Sequence, residues 1–432
     1  MRRPTFLEDI APETWRFSTL MVFFWAGIVT LEAFLVPYLI SIGLGSGAAG
    51  LVMSSVFFAG IVTAPLWAAV CDATDRHRRV VLIALGISLV AVLLIPLVAP
   101  VLVPVLLLGL VYSATGNSMP AILDSWIMRR RIEEPDLEYG IARGFGAAGF
   151  ALGGILLGRL SDVFGPWVLF PMYALFILIS IVMILRLPAG GNRMAPATPG
   201  APAATDAPAA SGAPATPRAP VYAEVDRPVS SGRIRLTADV VRAIFSSGPY
   251  LVFLAIALLI FIQLRAALTF LPLLIYETGG TNIHVGLAQT LSAGSEVPFM
   301  FAAAFLLRRF KPRAMLLFAM GIFIFRIGLM GWVYSPVGLV ALQLMHGLSF
   351  GVFLPVSVHF IDRIAPRKYS SIFQTLAPSI YFGLGSVIGS SLGGTIIEHM
   401  GLRTMYQMLW IPVTAAAALF ALYLLLQPTR KA

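Results

Sequence analysis

Charge is what this chain has least of. Aspartate, glutamate, lysine and arginine make up only 12% of its 432 residues, about half the share in a soluble globular domain. Hydrophobic residues reach 58%, more than the interior of a soluble fold of this size can hide. The mean hydropathy of +0.88 points the same way. Most of this chain has lipid as its solvent. An ordinary water-soluble enzyme, a nucleic-acid-binding domain and a disordered chain are excluded. Cysteine is nearly absent as well. The single Cys71 excludes an internal disulfide and a cysteine-based zinc site, and no metal site is expected. The chain also lacks GxxxxGK[ST], so no ATP-driven pump is indicated, and it lacks HExxH. Arg2 and Arg3 are followed by Pro4, Glu8, Asp9 and Glu13 before any apolar run. That is the pattern of neither a secretory nor a twin-arginine signal.

What the sequence does contain is long apolar runs. A bilayer core takes about 20 apolar residues in a helix. Twelve such spans are predicted, at 18–40, 48–70, 80–99, 101–126, 141–160, 164–187, 249–275, 284–307, 313–333, 337–361, 371–396 and 404–426. Only Ala99 and Pro100 separate the third from the fourth. The net charge of +10 and pI near 10 would suit a nucleic-acid binder, but the positive charges sit in short clusters between apolar runs. With both termini inside, 26 of the 30 lysines and arginines fall on the inner side. Arg159 and Arg403 fall outside, while Arg265 and Arg326 lie within spans. This is the positive-inside pattern, and it sets the expected orientation.

The composition changes between Pro188 and Arg233, where PATPGAPAATDAPAASGAPATP is almost wholly Ala, Pro, Thr and Gly. Such a run builds no core and reads as a linker with polyproline II character. Beyond it, Ile234, Leu236, Val240, Val241, Ile244 and Phe245 interleave with Arg233, Arg235, Asp239 and Arg242. That spacing predicts an amphipathic helix on the inner surface. The expected organisation is a six-helix half at 1–187, a cytoplasmic linker with this helix at 188–240, and a second six-helix half at 241–432.

The halves resemble each other. GFALGGILLGRLSDVFG (Gly149–Gly165) and SVIGSSLGGTIIEHMG (Ser386–Gly401) each carry a double glycine, apolar residues, an acid and a closing glycine. Small residues at helical spacing let membrane helices approach closely. A repeat across a six-plus-six arrangement is the mark of a transporter whose solute site lies at the midplane between halves. Two apparent motifs lack their context. Gly45–Gly50 fits GxGxxG without a preceding strand, and Gly347–Gly351 fits GxSxG beside His346 on a membrane helix rather than a strand–turn–helix.

DATDRHRR (Asp72–Arg79) resembles the acid- and arginine-rich loop between helices two and three of the major facilitator superfamily, with Ala68 in place of the usual glycine. Asp72, Arg76, Arg78 and Arg79 are its candidate residues. PAILDSWIMRRRIEEPDLEYGIARGFGAAGFALG (Pro120–Gly153) is similar to the helix-four to helix-five region of the proton-coupled sugar and phenylpropionate permeases, the group that includes lactose permease. That resemblance implies a pair between Asp124 and Arg143. In the second half, SEVPF, FRIG and LMHG supply Glu296, Arg326 and His346 where the group carries a glutamate, an arginine and a histidine. Two positions depart from the group. Ser349 stands where lactose permease has its proton-carrying glutamate, and Phe150 stands where it has the tryptophan that stacks on galactose. The fold implied is all-α, twelve transmembrane helices in two pseudo-symmetric halves.

An ionisable side chain at the bilayer centre costs roughly 2.5–3.5 kcal/mol on insertion scales, so each needs a partner or a watery cavity. Asp124, Arg143, Phe150 and Arg265 are the candidate solute-binding residues. Glu296, Arg326, His346 and Glu32 are the candidate proton-coupling residues. For Glu32 and Arg265, which the resemblance does not cover, a structural ion pair is the competing reading. An arginine fork suits a hydroxyl or carboxylate of a solute. Phe150 lies seven residues beyond Arg143 and so on the same helix face. The expected protein is not an enzyme and uses no cofactor beyond a proton gradient. It is expected to be a monomer in a bacterial inner membrane, with lipid, protons and a small solute as partners and no nucleic acid. Proton-coupled uptake of a sugar, nucleoside or aromatic acid leads the expectations. An efflux antiporter and a non-transporting sensor of the same fold are the alternatives.

Overall fold

The structure is a computed structural model and describes residues 11–187 and 238–426. Among these residues it is helical, without strands. Eleven segments are long and apolar enough to cross a membrane. In chain order they are α1 (Pro12–Ser41), α2 (Ser46–Thr74), α3 (His77–Val98), α4 (Leu102–Glu133), α5 (Tyr139–Phe164), α6 (Pro166–Arg186) and α7 (Gly248–Glu277). After α8 (Asn282–Arg309), a helix of 28 residues, come α9 (Pro312–Met330), α10 (Pro336–Ile364), α11 (Ile372–Met400) and α12 (Leu402–Leu425). The predicted spans coincide with these helices, half of which run a few residues further at both ends. A helix outlasts the hydrocarbon because its backbone bonds remain satisfied in the interface. Span three does end at Ala99, whose backbone caps α3.

Most of the linker read at 188–240 lies outside the described residues, as do Arg2, Arg3, Ile234 and Leu236. Of the amphipathic segment, Ala238–Ser246 is helical. There Ile244 is buried while Arg242 and Phe245 are exposed.

Packing follows the internal repeat. In the first half α1 lies between α5 and α6, and in the second α7 lies between α11 and α12. Lipid removes the hydrophobic drive for helix association, so close approach and hydrogen bonds must hold the bundle. Glycine supplies the approach. A Cβ on Gly149 of α5 would overlap the Val22 carbonyl of α1, and one on Gly389 of α11 would overlap the Ile262 carbonyl of α7. Buried tyrosines add hydrogen bonds between helices. Tyr406 donates to the Ala267 carbonyl at 2.6 Å and Tyr250 to the Phe373 carbonyl at 2.8 Å.

The two halves meet through α2 with α11 and α5 with α8. These contacts lie at the end of the bundle away from the termini. Gly50 packs on Gly394 with 3.1 Å from its would-be Cβ to the Gly394 Cα. Gly286 sits against the Gly154 backbone. Thr290 donates to the Ala151 carbonyl at 2.8 Å, and Ser54 donates to the Val387 carbonyl at 2.7 Å. Toward the termini α5 and α8 separate. A Cβ on Gly140 or Gly144 of α5, or on Gly294 of α8, would meet nothing within 4 Å. The bundle is closed at the far end and open toward its termini.

Replacing Gly389 with valine forces α11 off α7, and overpacking of this kind costs about 1–3 kcal/mol. The melting temperature of the purified Gly389→Val protein should fall. Gly86→Val on α3, where added atoms have open space, should leave it unchanged. Equal melting temperatures for all three proteins would refute close glycine packing as the source of bundle stability.

Candidate functional site

The charges within the spans gather into three groups at middle depth. The first belongs to the half formed by α1–α6. Asp124 on α4 accepts from the Tyr139 hydroxyl and lies within the field of Arg143. The implied ion pair does not close. The Arg143 guanidinium instead lies over the Trp25 ring of α1, 4.4 Å from its centroid. Such cation–π contacts are worth about 0.5–2 kcal/mol. Gly146, one turn beyond Arg143, makes room for the indole, since a Cβ there would come 2.7 Å from Trp25 Cδ1. Phe150 meets the same indole edge-on, with 6.3 Å between centroids. One carboxylate oxygen of Asp124 and the Trp25 Nε1 are buried without a hydrogen-bond partner in the structure.

The second group bridges the halves. Glu32 of α1 and Arg265 of α7 are 3.9 Å apart, each about a quarter exposed. That separation is a loose ion pair rather than a hydrogen bond. Arg265 also lies 4.2 Å from the centroid of Phe57 on α2. One arginine thus connects three helices at the seam.

The third group is a chain through the second half. Arg326 of α9 is fully buried. Its Nη2 donates to Gln343 Oε1 at 2.9 Å, and its Nη1 donates to His346 Nδ1. An arginine can only donate, so Nδ1 must accept and the histidine proton sits on Nε2. His346 Nε2 faces Glu296 Oε1 of α8 at 3.0 Å. The chain therefore runs from a buried cation through a neutral imidazole to a carboxylate that is 22% exposed. Phe350, one turn on, stacks on His346 at 5.1 Å with planes 9° apart. Between them α10 widens into a π-helical turn at Gly347–Gly351. There the Gly347 N–H donates to Ser295 Oγ at 2.9 Å. Such turns recur where a helix carries function. Ser349 spends its hydroxyl on the carbonyls of Met345 and His346, both at 3.1 Å. The carboxylate of this chain is supplied across the helix interface by Glu296.

In the loop after α2, the acid that makes an ion pair is Asp75 rather than Asp72. Asp75 takes a left-handed conformation, φ 53°, and meets Arg129 of α4 at 2.7 Å. Arg78 donates to the Leu185 carbonyl of α6. Asp72, Arg76 and Arg79 are exposed.

Sequence reasoning did not single out Trp25, Phe57, Gln343 or Phe350. Two left a signal in helix periodicity. Trp25 lies seven residues before Glu32, and Gln343 lies three before His346.

Among the described residues, twelve long helices in two similar halves, with charged side chains within the spans and at the seam, have the build of a multi-pass membrane transporter. Over residues 14–408 the chain matches the family model described as "MFS_1 like family", and it belongs to that family of the major facilitator superfamily. It is similar to a protein called maltose permease from Geobacillus stearothermophilus, with 28% identity over 393 residues, 90% of this chain and 88% of the relative. An uncharacterized transporter, YwbF, of Bacillus subtilis (strain 168) is 22% identical over 382 residues, 88% of this chain and 86% of the relative. The fold is that of the crystal structure of the nucleoside transporter NupG. The TM-score is 0.78 at 15% identity, covering 96% of this chain and 100% of that one.

Gln343 is fully buried and, through Oε1, holds one end of the Arg326 guanidinium. Gln343→Leu leaves a buried cation short of an acceptor, a loss of about 1–3 kcal/mol. The purified variant should melt at lower temperature, and Gln343→Glu should recover stability by restoring an acceptor. A Gln343→Leu protein as stable as the parent would show that this hydrogen bond carries no net weight.

Proposed function

We propose that the protein is a proton-coupled symporter that takes up a neutral, hydroxyl-rich ring solute, of the sugar or nucleoside kind, by alternating access. The termini face the cytoplasm of a bacterial cell in this reading, so the open end of the bundle is the cytoplasmic one. The observation that carries the reading is the unspent hydrogen-bonding capacity of Asp124 and Arg143. Asp124 keeps a buried oxygen free, which suits a hydroxyl donor. Arg143 is held on Trp25 through its π face, which leaves its N–H edge for an acceptor oxygen. Adjacent hydroxyls on a ring both donate and accept. An anionic solute would meet the Asp124 charge, which disfavours aromatic acids. Phe150 and Trp25 offer apolar ring surface beside these groups. The names of the relatives, a maltose permease and a nucleoside transporter, fit a ring-bearing solute.

In the same reading Glu296 carries the proton. It is the water-accessible end of the chain that Arg326 begins. A proton arriving from outside binds the Glu296 carboxylate, while His346 keeps its own proton on Nε2. When the halves rock, Arg326 and His346 change distance to Glu296, and the proton leaves toward the cytoplasm. The Glu32–Arg265 pair spans the seam and reports the relative position of the halves.

The test is solute-driven acidification of proteoliposomes containing a trapped pH dye, with empty liposomes as control. Sugars and nucleosides should each be tried against aromatic carboxylates. Protein-dependent acidification with a neutral ring solute is expected, and acidification by the carboxylates alone would overturn the assignment. With the active solute in hand, Glu296→Gln should abolish accumulation yet retain solute exchange. Accumulation that survives this change would move the proton to Glu32 or Asp124. Trp25→Leu should raise the half-saturating solute concentration about two- to thirty-fold, the equivalent of a lost cation–π contact. Trp25→Phe should stay near the parent value, and matching defects in both would assign Trp25 a packing role only.

A further inference from the structure

The acids of the two repeated segments, Asp162 and Glu398, take no part in the mid-depth groups. Both stand at the far end of the bundle, one on α5 and one on α11, and both are exposed. Each reaches across the seam to the start of a helix in the opposite half. Asp162 Oδ1 accepts from the Asn282 backbone N–H at 2.8 Å and from Asn282 Nδ2 at 2.9 Å, and Oδ2 accepts from the Ile283 N–H at 3.1 Å. These are the first two N–H groups of α8, which no turn of that helix can satisfy. The Glu398 carboxylate fills the space where side chains at Gly45 and Gly47 would stand, over the first turn of α2. The residue capping that helix is Gly45, which has no side-chain oxygen to offer. A carboxylate is favoured at a helix N-terminus by the exposed N–H groups and the helix dipole.

The two contacts correspond to each other through the internal repeat. In each, the acid follows the double glycine on the helix that also makes the glycine contact across the seam. Gly154 with Gly286 precedes Asp162, and Gly394 with Gly50 precedes Glu398. Glycine brings the helices close; Asp162 then holds the start of α8 by three hydrogen bonds, and Glu398 sets its carboxylate against the start of α2. Opening the far end must break the Asp162 hydrogen bonds and lift the Glu398 carboxylate off the start of α2 together. The side chains span the halves only in this closed arrangement, so they stabilise it alone.

We propose that Asp162 and Glu398 form a two-point latch that holds the far end shut and makes the arrangement open toward the termini the resting one. The proposal requires no particular solute, so it stands or falls separately from the uptake reading. Its test measures distance across the far end in purified, detergent-solubilised protein. Nitroxide labels would go on cysteines replacing Trp167 and Trp332, both exposed, in a Cys71→Ala background. Double electron–electron resonance should give one short-distance population for this parent. With Asp162→Ala and Glu398→Ala together, a longer-distance population absent from the parent should appear. Charge-retaining changes, Asp162→Glu with Glu398→Asp, should keep most molecules in the short population. A double-alanine protein that elutes as the parent does and keeps the parent distribution overturns the latch. So does an equal shift in the charge-retaining pair, which would assign the effect to side-chain shape.

Discussion

A charge at the middle of a bilayer has no bulk water to fall back on, and the arrangement of this protein follows from that constraint. Arg326 is fully buried and keeps its charge within reach of Gln343, His346 and, through the imidazole, Glu296. Arg265 is answered by Glu32 and by the face of Phe57. Arg143 rests on Trp25 beside Asp124. Each cation has an acid nearby, and every acid of these groups keeps partial access to the cleft. Full pairing would make a rigid structural core. Partial pairing on a watery cleft leaves capacity for a ligand and a proton.

Close helix packing is what makes such a cleft possible. Small residues on α5 and α11 pull α1 and α7 inward within each half, and other small residues on the same helices join the halves at one end. The same two helices therefore serve as internal struts and as the mating surfaces. Because backbone meets backbone at Gly154 and Gly286, and at Gly50 and Gly394, the seam is thin, and its far end can part without unpacking either half. Hydrogen bonds from Thr290 and Ser54 to carbonyls across the seam are few enough to be exchanged for water.

The helix count and boundaries were legible from hydropathy, and the repeat was legible from the glycines. The mid-span charges were legible as a set, since each interrupts an apolar run. Their grouping was less so. The family resemblance implied a pair between Asp124 and Arg143, and in the structure the Arg143 guanidinium lies instead over the Trp25 indole of α1. Glu296, Arg326 and His346 were named together from the resemblance; only the structure shows the order in which they touch, and that Gln343 shares Arg326. The resemblance put Asp72 forward in the loop after α2, and the structure gives the ion pair with Arg129 to Asp75, in a left-handed turn at the end of α2.

Membrane insertion is close to a one-dimensional problem. Each helix must satisfy its own backbone and match the bilayer thickness, so a linear read of apolar residues is enough to locate it. Contacts between side chains on different helices are a three-dimensional matter. Glu32 and Arg265 are more than two hundred positions apart in the chain, and whether they touch depends on how far glycine lets α1 and α7 approach their neighbours. Which end of the bundle is closed is decided at the same level. It rests on where backbone meets backbone across the seam, a property of packed surfaces that no single helix carries.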